Sequence, residues 1–178
     1  MMKPEERGKT RPCVSRREFL LAGGATVAAV GLSSCLGLPL DTVLQTREYP
    51  RKRIGRLSAL KPDVPVEFKY PFEDAGSTSF LVKLGVPAAG GVGAEKDVVA
   101  FHCFCTHMGG LLSAVYRKEY KVAGPCPMHL STFDLTRHGM IVAGHGTIGL
   151  PQVVLEVSGD EIFAGGIAGL VYGRARNV

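Results

Sequence analysis

Two short stretches of this chain each carry one cysteine and one histidine, and they constrain its fold more than any other feature. The first is a C-x-H pair, Cys105 and His107, and the second is a C-x-x-H pair, Cys126 and His129. The pairs are separated by 18 residues. Thiolates and imidazoles are common ligands of transition metals, so a fold that uses all four must bring two loops side by side.

The mixed composition of each pair distinguishes between two kinds of metal centre. Zinc fingers usually take their ligands as like pairs, two cysteines and then two histidines. A [2Fe–2S] centre with two thiolates on one iron and two imidazoles on the other is satisfied when each loop supplies one ligand of each kind. The pattern therefore predicts a [2Fe–2S] cluster bound by Cys105, His107, Cys126 and His129, with zinc binding or chance placement as the alternatives.

The residues around these pairs resemble a known family. Both stretches are similar to the C-T-H-x-G-C and C-P-C-H-x-S boxes of Rieske proteins, and the chain from about Pro50 onward resembles the small subunit of arsenite oxidase and its relatives. The wider resemblance lies in residues 82–85 and 90–93, the Phe133-Asp134 pair and residues 169–174. It implies an all-β, Rieske-type antiparallel domain with two cluster-binding loops.

Three further residues are expected beside the cluster. Ser131 follows His129 by two residues, where its hydroxyl can donate to a bridging sulfide and raise the reduction potential. Phe133 stands where quinol-oxidising Rieske proteins have a tyrosine that donates to a ligand sulfur, and Pro151 resembles the proline of a loop that shields the cluster from water. Without the tyrosine hydroxyl, we expect a potential below the top of the Rieske range, about +300 mV.

Two positions depart from the usual Rieske pattern. Gly110 and Met128 occupy the places where many Rieske proteins carry two further cysteines, which form a disulfide between the cluster loops. Such a bridge contributes roughly 3 kcal/mol for a loop of this length. We therefore expect packing or a partner subunit to hold the loops together here.

The remaining cysteine and histidines near these loops are given structural roles. Cys103 is expected to be a small buried residue on the strand before the first loop, and it is the alternative ligand if the assignment of Cys105 is wrong. His102, His138 and His145 are expected at strand or turn positions, as surface or structural residues.

The N-terminal residues resemble a twin-arginine (Tat) export signal. Arg16 and Arg17 precede a weakly hydrophobic run at 20–32. This run is shorter than the roughly 20 residues that span a bilayer. Cys35 ends a Leu-Ser-Ser-Cys sequence that resembles a lipobox, with ordinary cleavage nearby or an uncleaved membrane tether as the alternatives. We therefore expect residues 1–35 to be a Tat signal and the protein to be periplasmic.

Charge and periodicity define the rest of the chain. The net charge is +5, but the first 35 residues hold six Lys and Arg against three Glu, and the remainder carries only +2. No basic stripe with interleaved aromatics remains, so we expect no nucleic-acid partner. Residues 36–65 are predicted to be a linker and first strand region, and residues 66–178 the Rieske domain. Short alternating runs predict strands at 66–70, 78–84, 97–101, 119–122, 139–142, 152–157 and 161–164, with a hairpin turn at 158–161.

The resemblance also implies a function. It indicates an electron-transfer subunit without a substrate site of its own, bound to a large molybdopterin subunit and exchanging electrons with a cytochrome c or a small copper protein. A relative that acts on another oxyanion, even in the reductive direction, would have much the same sequence. A quinol-oxidising Rieske subunit of a cytochrome bc complex is the other alternative, and Phe133 and the missing disulfide cysteines count against it.

Overall fold

The computed structural model describes residues 49–178, and in that range it contains ten β-strands and three short 3₁₀ turns. The predicted Tat signal and Cys35 lie outside the described residues. Within them, no helix is both long enough and apolar enough to cross a membrane. The strands are β1 (Lys52–Arg56), β2 (Val66–Lys69), β3 (Thr78–Lys83), β4 (Val98–His102), β5 (Tyr116–Arg117), β6 (Val122–Ala123), β7 (Thr132–Asp134), β8 (Met140–Ala143), β9 (Gln152–Ser158) and β10 (Glu161–Ala168).

Six of the strands form an antiparallel sheet in the order β1-β10-β9-β4-β3-β2. The central strand β4 is buried along its whole length. Its Val99 and Phe101 join one hydrophobic cluster, whereas Val98 and Ala100 join a second cluster on the other face. Because successive strand residues point to opposite faces, a strand that is apolar at every position packs against two cores at once.

The other four strands form a small antiparallel sheet in the order β5-β6-β7-β8. One of the two Cys/His loops lies between β4 and β5, and the other lies between β6 and β7. The predicted strand at 119–122 is wrong in most of its length, because residues 118–121 form the turn between β5 and β6. Strands β5 and β7 are only two and three residues long, too short for a periodic pattern to predict them.

The region predicted as linker and first strand contributes β1 to the large sheet. This strand pairs antiparallel with β10, and the register shifts between Arg53 and Gly55. At its outer end the Arg51 guanidinium lies 3.6 Å from the centre of the Phe163 ring and 3.0 Å from the Glu156 carboxylate. The large sheet therefore begins before residue 66.

Asp63 joins the large sheet to the small one. Its backbone N–H donates to the Lys83 carbonyl at the end of β3, and its carboxylate accepts hydrogen bonds from the Tyr116 hydroxyl (2.6 Å) and the Lys121 ammonium (2.7 Å). Burial raises the pKa of this carboxyl, but the hydrogen bonds from Lys121 and Tyr116 outweigh burial and lower the pKa overall. The partly buried pair thus fixes the β5–β6 hairpin against the large sheet.

Candidate metal centre

The first loop leaves β4 and is closed by backbone hydrogen bonds around Cys105. The Cys105 N–H donates to the Gly110 carbonyl, the Gly109 N–H donates to the Cys105 carbonyl, and both distances are 2.8 Å. The Leu112 N–H donates to the Cys103 carbonyl at the base of the loop, also at 2.8 Å. Gly109 has φ +72°, a left-handed conformation that glycine adopts without steric cost.

The second loop repeats this hydrogen-bond pattern at the same offsets. The Cys126 N–H donates to the Ser131 carbonyl at 2.8 Å, and the Leu130 N–H donates to the Cys126 carbonyl at 2.9 Å. Leu130 has φ +63°, so it occupies the left-handed position that Gly109 occupies in the first loop. Each cysteine therefore sits at the start of an equivalent tight turn, with its histidine inside that turn.

These turns bring the four predicted ligands together. The imidazoles of His107 and His129 meet edge to face, with ring centroids 4.7 Å apart. The thiols of Cys105 and Cys126 are buried and lie within hydrogen-bonding reach of each other. The histidines are only partly buried, so the thiols form the inner side of the site and the imidazoles its outer side.

Two unpaired nitrogens show that these residues fit a metal cluster. The Nδ1 atoms of His107 and His129 are buried and have no hydrogen-bond partner in the described part of the chain. Buried polar atoms are almost always paired, since an unpaired one costs about 1–3 kcal/mol. A metal ion bound to each Nδ1 would remove that cost, as the imidazole ligands of a Rieske cluster require.

The two cysteines near the first loop have different surroundings. Burial raises the pKa of the Cys105 thiol and the neighbouring Cys126 adds to the rise, whereas hydrogen bonds from the His107 backbone and the Ser131 hydroxyl offset it in part. Cys103 has a different partner: it is fully buried, its thiol is hydrogen-bonded to Ser113, and burial raises its pKa to about 12. The structure thus brings Cys105, and not Cys103, to the second loop.

A third loop, residues 144–151, covers the other two. The Gly146 N–H donates to the Ser131 hydroxyl at 3.1 Å, and the Thr106 hydroxyl donates to the Ile148 carbonyl at 2.8 Å. His145 from this loop lies beside His107, with ring centroids 5.8 Å apart. Sequence reasoning gave His145 no place at the site, because its neighbours on both sides are glycines and no ligand spacing includes it.

Pro151 and Phe133, the other two residues expected beside the cluster, are both buried. Pro151 is buried at the root of the third loop, where its carbonyl accepts a hydrogen bond from the His102 N–H. The hydrogen bonds from the third loop to the two ligand loops come from Gly146 and Ile148, and none of them involves Pro151. Phe133 is fully buried on β7 and belongs to the same hydrophobic cluster as the two ligand cysteines.

Gly110 and Met128, the positions of the missing disulfide, do face each other. A Cβ atom added to Gly110 would lie 3.2 Å from the Sδ atom of Met128 and 2.5 Å from the Sγ atom of Cys126. The thioether of Met128 therefore packs directly over the Gly110 backbone. Packing across the two loops occupies the space in which a disulfide would lie.

Comparisons with known proteins agree with this geometry. The Rieske [2Fe-2S] domain family matches residues 57–153. The chain is 55% identical over 163 residues to iodate reductase subunit IdrB of Pseudomonas sp. (strain SCT), covering 92% of this chain and 84% of that one. It is 52% identical over 170 residues to iodate reductase subunit IdrB of Denitromonas iodatirespirans, covering 96% of this chain and 90% of that one.

A solved structure supports the fold independently. The soluble domain of the Rieske protein II (soxF) from Sulfolobus acidocaldarius superposes with a TM-score of 0.63 at 21% sequence identity, covering 72% of this chain and 83% of that chain. The predicted all-β Rieske fold and the predicted [2Fe–2S] cofactor are therefore confirmed, while the individual ligand assignments stay predictions that the geometry favours. This chain belongs to the Rieske [2Fe–2S] family.

Proposed function

We propose that this chain is the electron-transfer subunit of an oxyanion reductase of the iodate reductase type. The observation that carries the proposal is the similarity to two iodate reductase subunits, at 55% and 52% identity across most of each chain. Arsenite oxidation, which the sequence resemblance suggested, stays a prediction. Its site residues would be the same, because a subunit that only relays electrons holds no part of the oxyanion site.

The four predicted ligand residues would have two different roles in such a subunit. Bound in the loops, the cluster would accept and release one electron at a time. Cys105 and Cys126 would hold the inner iron away from water, and His107 and His129 would hold the outer iron at the partly exposed tip. We expect electrons to pass to the catalytic subunit on the histidine side, because it is the side that a partner subunit can approach.

The proposal includes two partners and a compartment. A large molybdopterin subunit would reduce the oxyanion, and a cytochrome c or a small copper protein would supply the electrons. The twin arginines Arg16 and Arg17 support export by the Tat route to the periplasm, which would carry the protein with its cofactor already inserted. Cys35 supports a lipid anchor as one way of holding the complex at the membrane.

Reoxidation of the native complex tests this function. The purified complex is reduced with dithionite, excess reductant is removed, and the visible absorbance of the cluster is followed after adding iodate. We expect rapid return of the oxidised spectrum with iodate and no reduction of the oxidised complex by arsenite. Reduction by arsenite together with indifference to iodate would instead assign the chain to arsenite oxidation.

Ser131→Ala should lower the reduction potential of the cluster by roughly 65–130 mV. The Ser131 hydroxyl donates toward the Cys105 thiol and is held in place by the Gly146 N–H. A hydrogen bond to a charged group is worth about 1.5–3 kcal/mol, and about 59 mV corresponds to a tenfold change for one electron. Losing this bond destabilises the more negative reduced cluster, which a redox titration followed by EPR would measure.

Phe133→Tyr serves as a control, because it should shift the reduction potential in the opposite direction. Phe133 packs in the same buried cluster as both cysteines, so a hydroxyl at its ring edge would add a donor near the ligand sulfurs. The potential should then rise by a comparable amount. A Ser131→Ala variant with an unchanged potential would show that this hydroxyl does not reach the cluster or its ligands.

A further inference from the structure

Leu130 holds a backbone conformation that its side chain makes unfavourable. With φ +63° it lies in the left-handed region, which glycine adopts freely and a residue with a Cβ atom adopts at a cost. The equivalent position of the first loop is Gly109, at φ +72°. The turn itself therefore favours glycine, and the presence of leucine needs a reason other than backbone geometry.

The fold does not supply that reason. The Leu130 side chain is 65% exposed and lies outside both hydrophobic clusters. The first loop differs, because a Cβ atom on Gly109 would lie 2.5 Å from the Tyr172 ring, which covers that position. Tyr172 thus covers the first turn, whereas the second turn exposes the Leu130 side chain to solvent.

The tip loops, one of which carries Leu130, have further exposed apolar side chains and no charged residue of their own. The three loops at the tip, residues 104–112, 124–132 and 144–151, contain no Asp, Glu, Lys or Arg. A concentration of exposed apolar side chains on one surface usually marks a binding site. The exposed apolar side chains of these loops are Met108, Leu111, Met128, Leu130 and Ile148.

We propose that Leu130 is an apolar anchor by which this chain binds the large catalytic subunit of its complex. The inference rests on the proposed function, which supplies that partner. A soluble electron carrier that docks briefly is usually steered by complementary charges, and these loops have none. Permanent subunit interfaces are apolar and poor in charged residues at their centre, which matches the tip. The cost of the left-handed leucine is then balanced by its burial in the assembled enzyme.

Three variants of the full chain separate the side chain from the backbone. Leu130→Gly removes the side chain and the strain, Leu130→Ala removes most of the side chain and keeps the strain, and Lys96→Gly removes strain alone. Lys96 is a suitable control because it is exposed, has φ +51° and lies outside the three tip loops. Dissociation of the purified complex is followed by mass photometry over a dilution series, and the melting temperature of each variant chain is measured alone.

We expect both Leu130 variants to raise the dissociation constant of the complex roughly tenfold or more, the effect of losing one buried leucine. Leu130→Gly and Lys96→Gly should each raise the melting temperature by about 3 °C, with Leu130→Ala unchanged and Lys96→Gly binding normally. Wild-type dissociation constants for both Leu130 variants would overturn the inference. So would Leu130 variants that bind the soluble electron donor more weakly but keep the wild-type affinity for the large subunit. A wild-type chain that purifies with no large subunit would overturn the proposed function and this inference together.

Discussion

Cys105→Ala is expected to give a colourless protein without iron, whereas Cys103→Ala should keep the full cluster. Cys105 lies beside Cys126 at the start of the first turn. Cys103 is buried at the base of the loop, and its thiol is hydrogen-bonded to Ser113. Cys103 is not expected to replace the lost thiolate, because its own thiol is hydrogen-bonded to Ser113. Iron and acid-labile sulfide should thus fall from about two each per chain to near zero.

The matched pair of variants makes this result easy to interpret. Both replace a fully buried thiol with a methyl group, so the general cost of removing a buried thiol is similar in each. Visible absorbance, iron content and the circular dichroism of the folded chain are measured on both. A cluster that survives in Cys105→Ala but disappears in Cys103→Ala would exchange the two assignments.

Acidification below about pH 6.5 should destabilise the chain through His102. Burial lowers the pKa of this fully buried imidazole to about 4, and its Nε2 atom lies 2.9 Å from the Gly76 carbonyl. In the unfolded chain the pKa is about 6.5. Between these values the unfolded state binds more protons, so the stability present above about pH 6.5 is lost as the pH falls toward 4. The loss amounts to about 3 kcal/mol in full.

His102→Gln isolates this contribution, because glutamine is neutral at every pH and can still donate to the Gly76 carbonyl. Chemical unfolding of both chains from about pH 7.5 to about pH 4.5 should show wild type losing roughly 2–3 kcal/mol more than the variant. All other titratable groups are the same in the two chains and cancel in the difference. Parallel stability curves for the two chains would show that His102 is protonated in the folded state.

The features that could be predicted from the sequence are those set by local chemistry. Four ligand types at defined spacing imply two loops that must meet, and the structure brings Cys105, His107, Cys126 and His129 together. Strands such as β3 and β9 were predicted to within a residue or two because their apolar residues follow a clear pattern. The opposition of Gly110 and Met128 followed from family resemblance, and the geometry agrees with it.

The features that could not be predicted depend on tertiary contacts. β5 and β7 exist because the small sheet pairs them with β6, and neither has a periodic pattern of its own. His145 reaches His107 only because the third loop folds over the first two. The left-handed backbone conformation of Leu130 could not be predicted either, because nothing in a His-Leu-Ser sequence indicates a positive φ angle.

Histidine ligation of a reduced [2Fe–2S] cluster is the most direct test of the central claim. The native complex, prepared with ¹⁵N-labelled histidine and reduced with dithionite, is studied by pulsed EPR for nitrogen hyperfine couplings. We predict a rhombic signal with strong couplings from the two histidine nitrogens, those of His107 and His129, which change with the label and are lost together with the cluster in Cys105→Ala. A reduced cluster without histidine couplings, or no paramagnetic cluster at all, would contradict it.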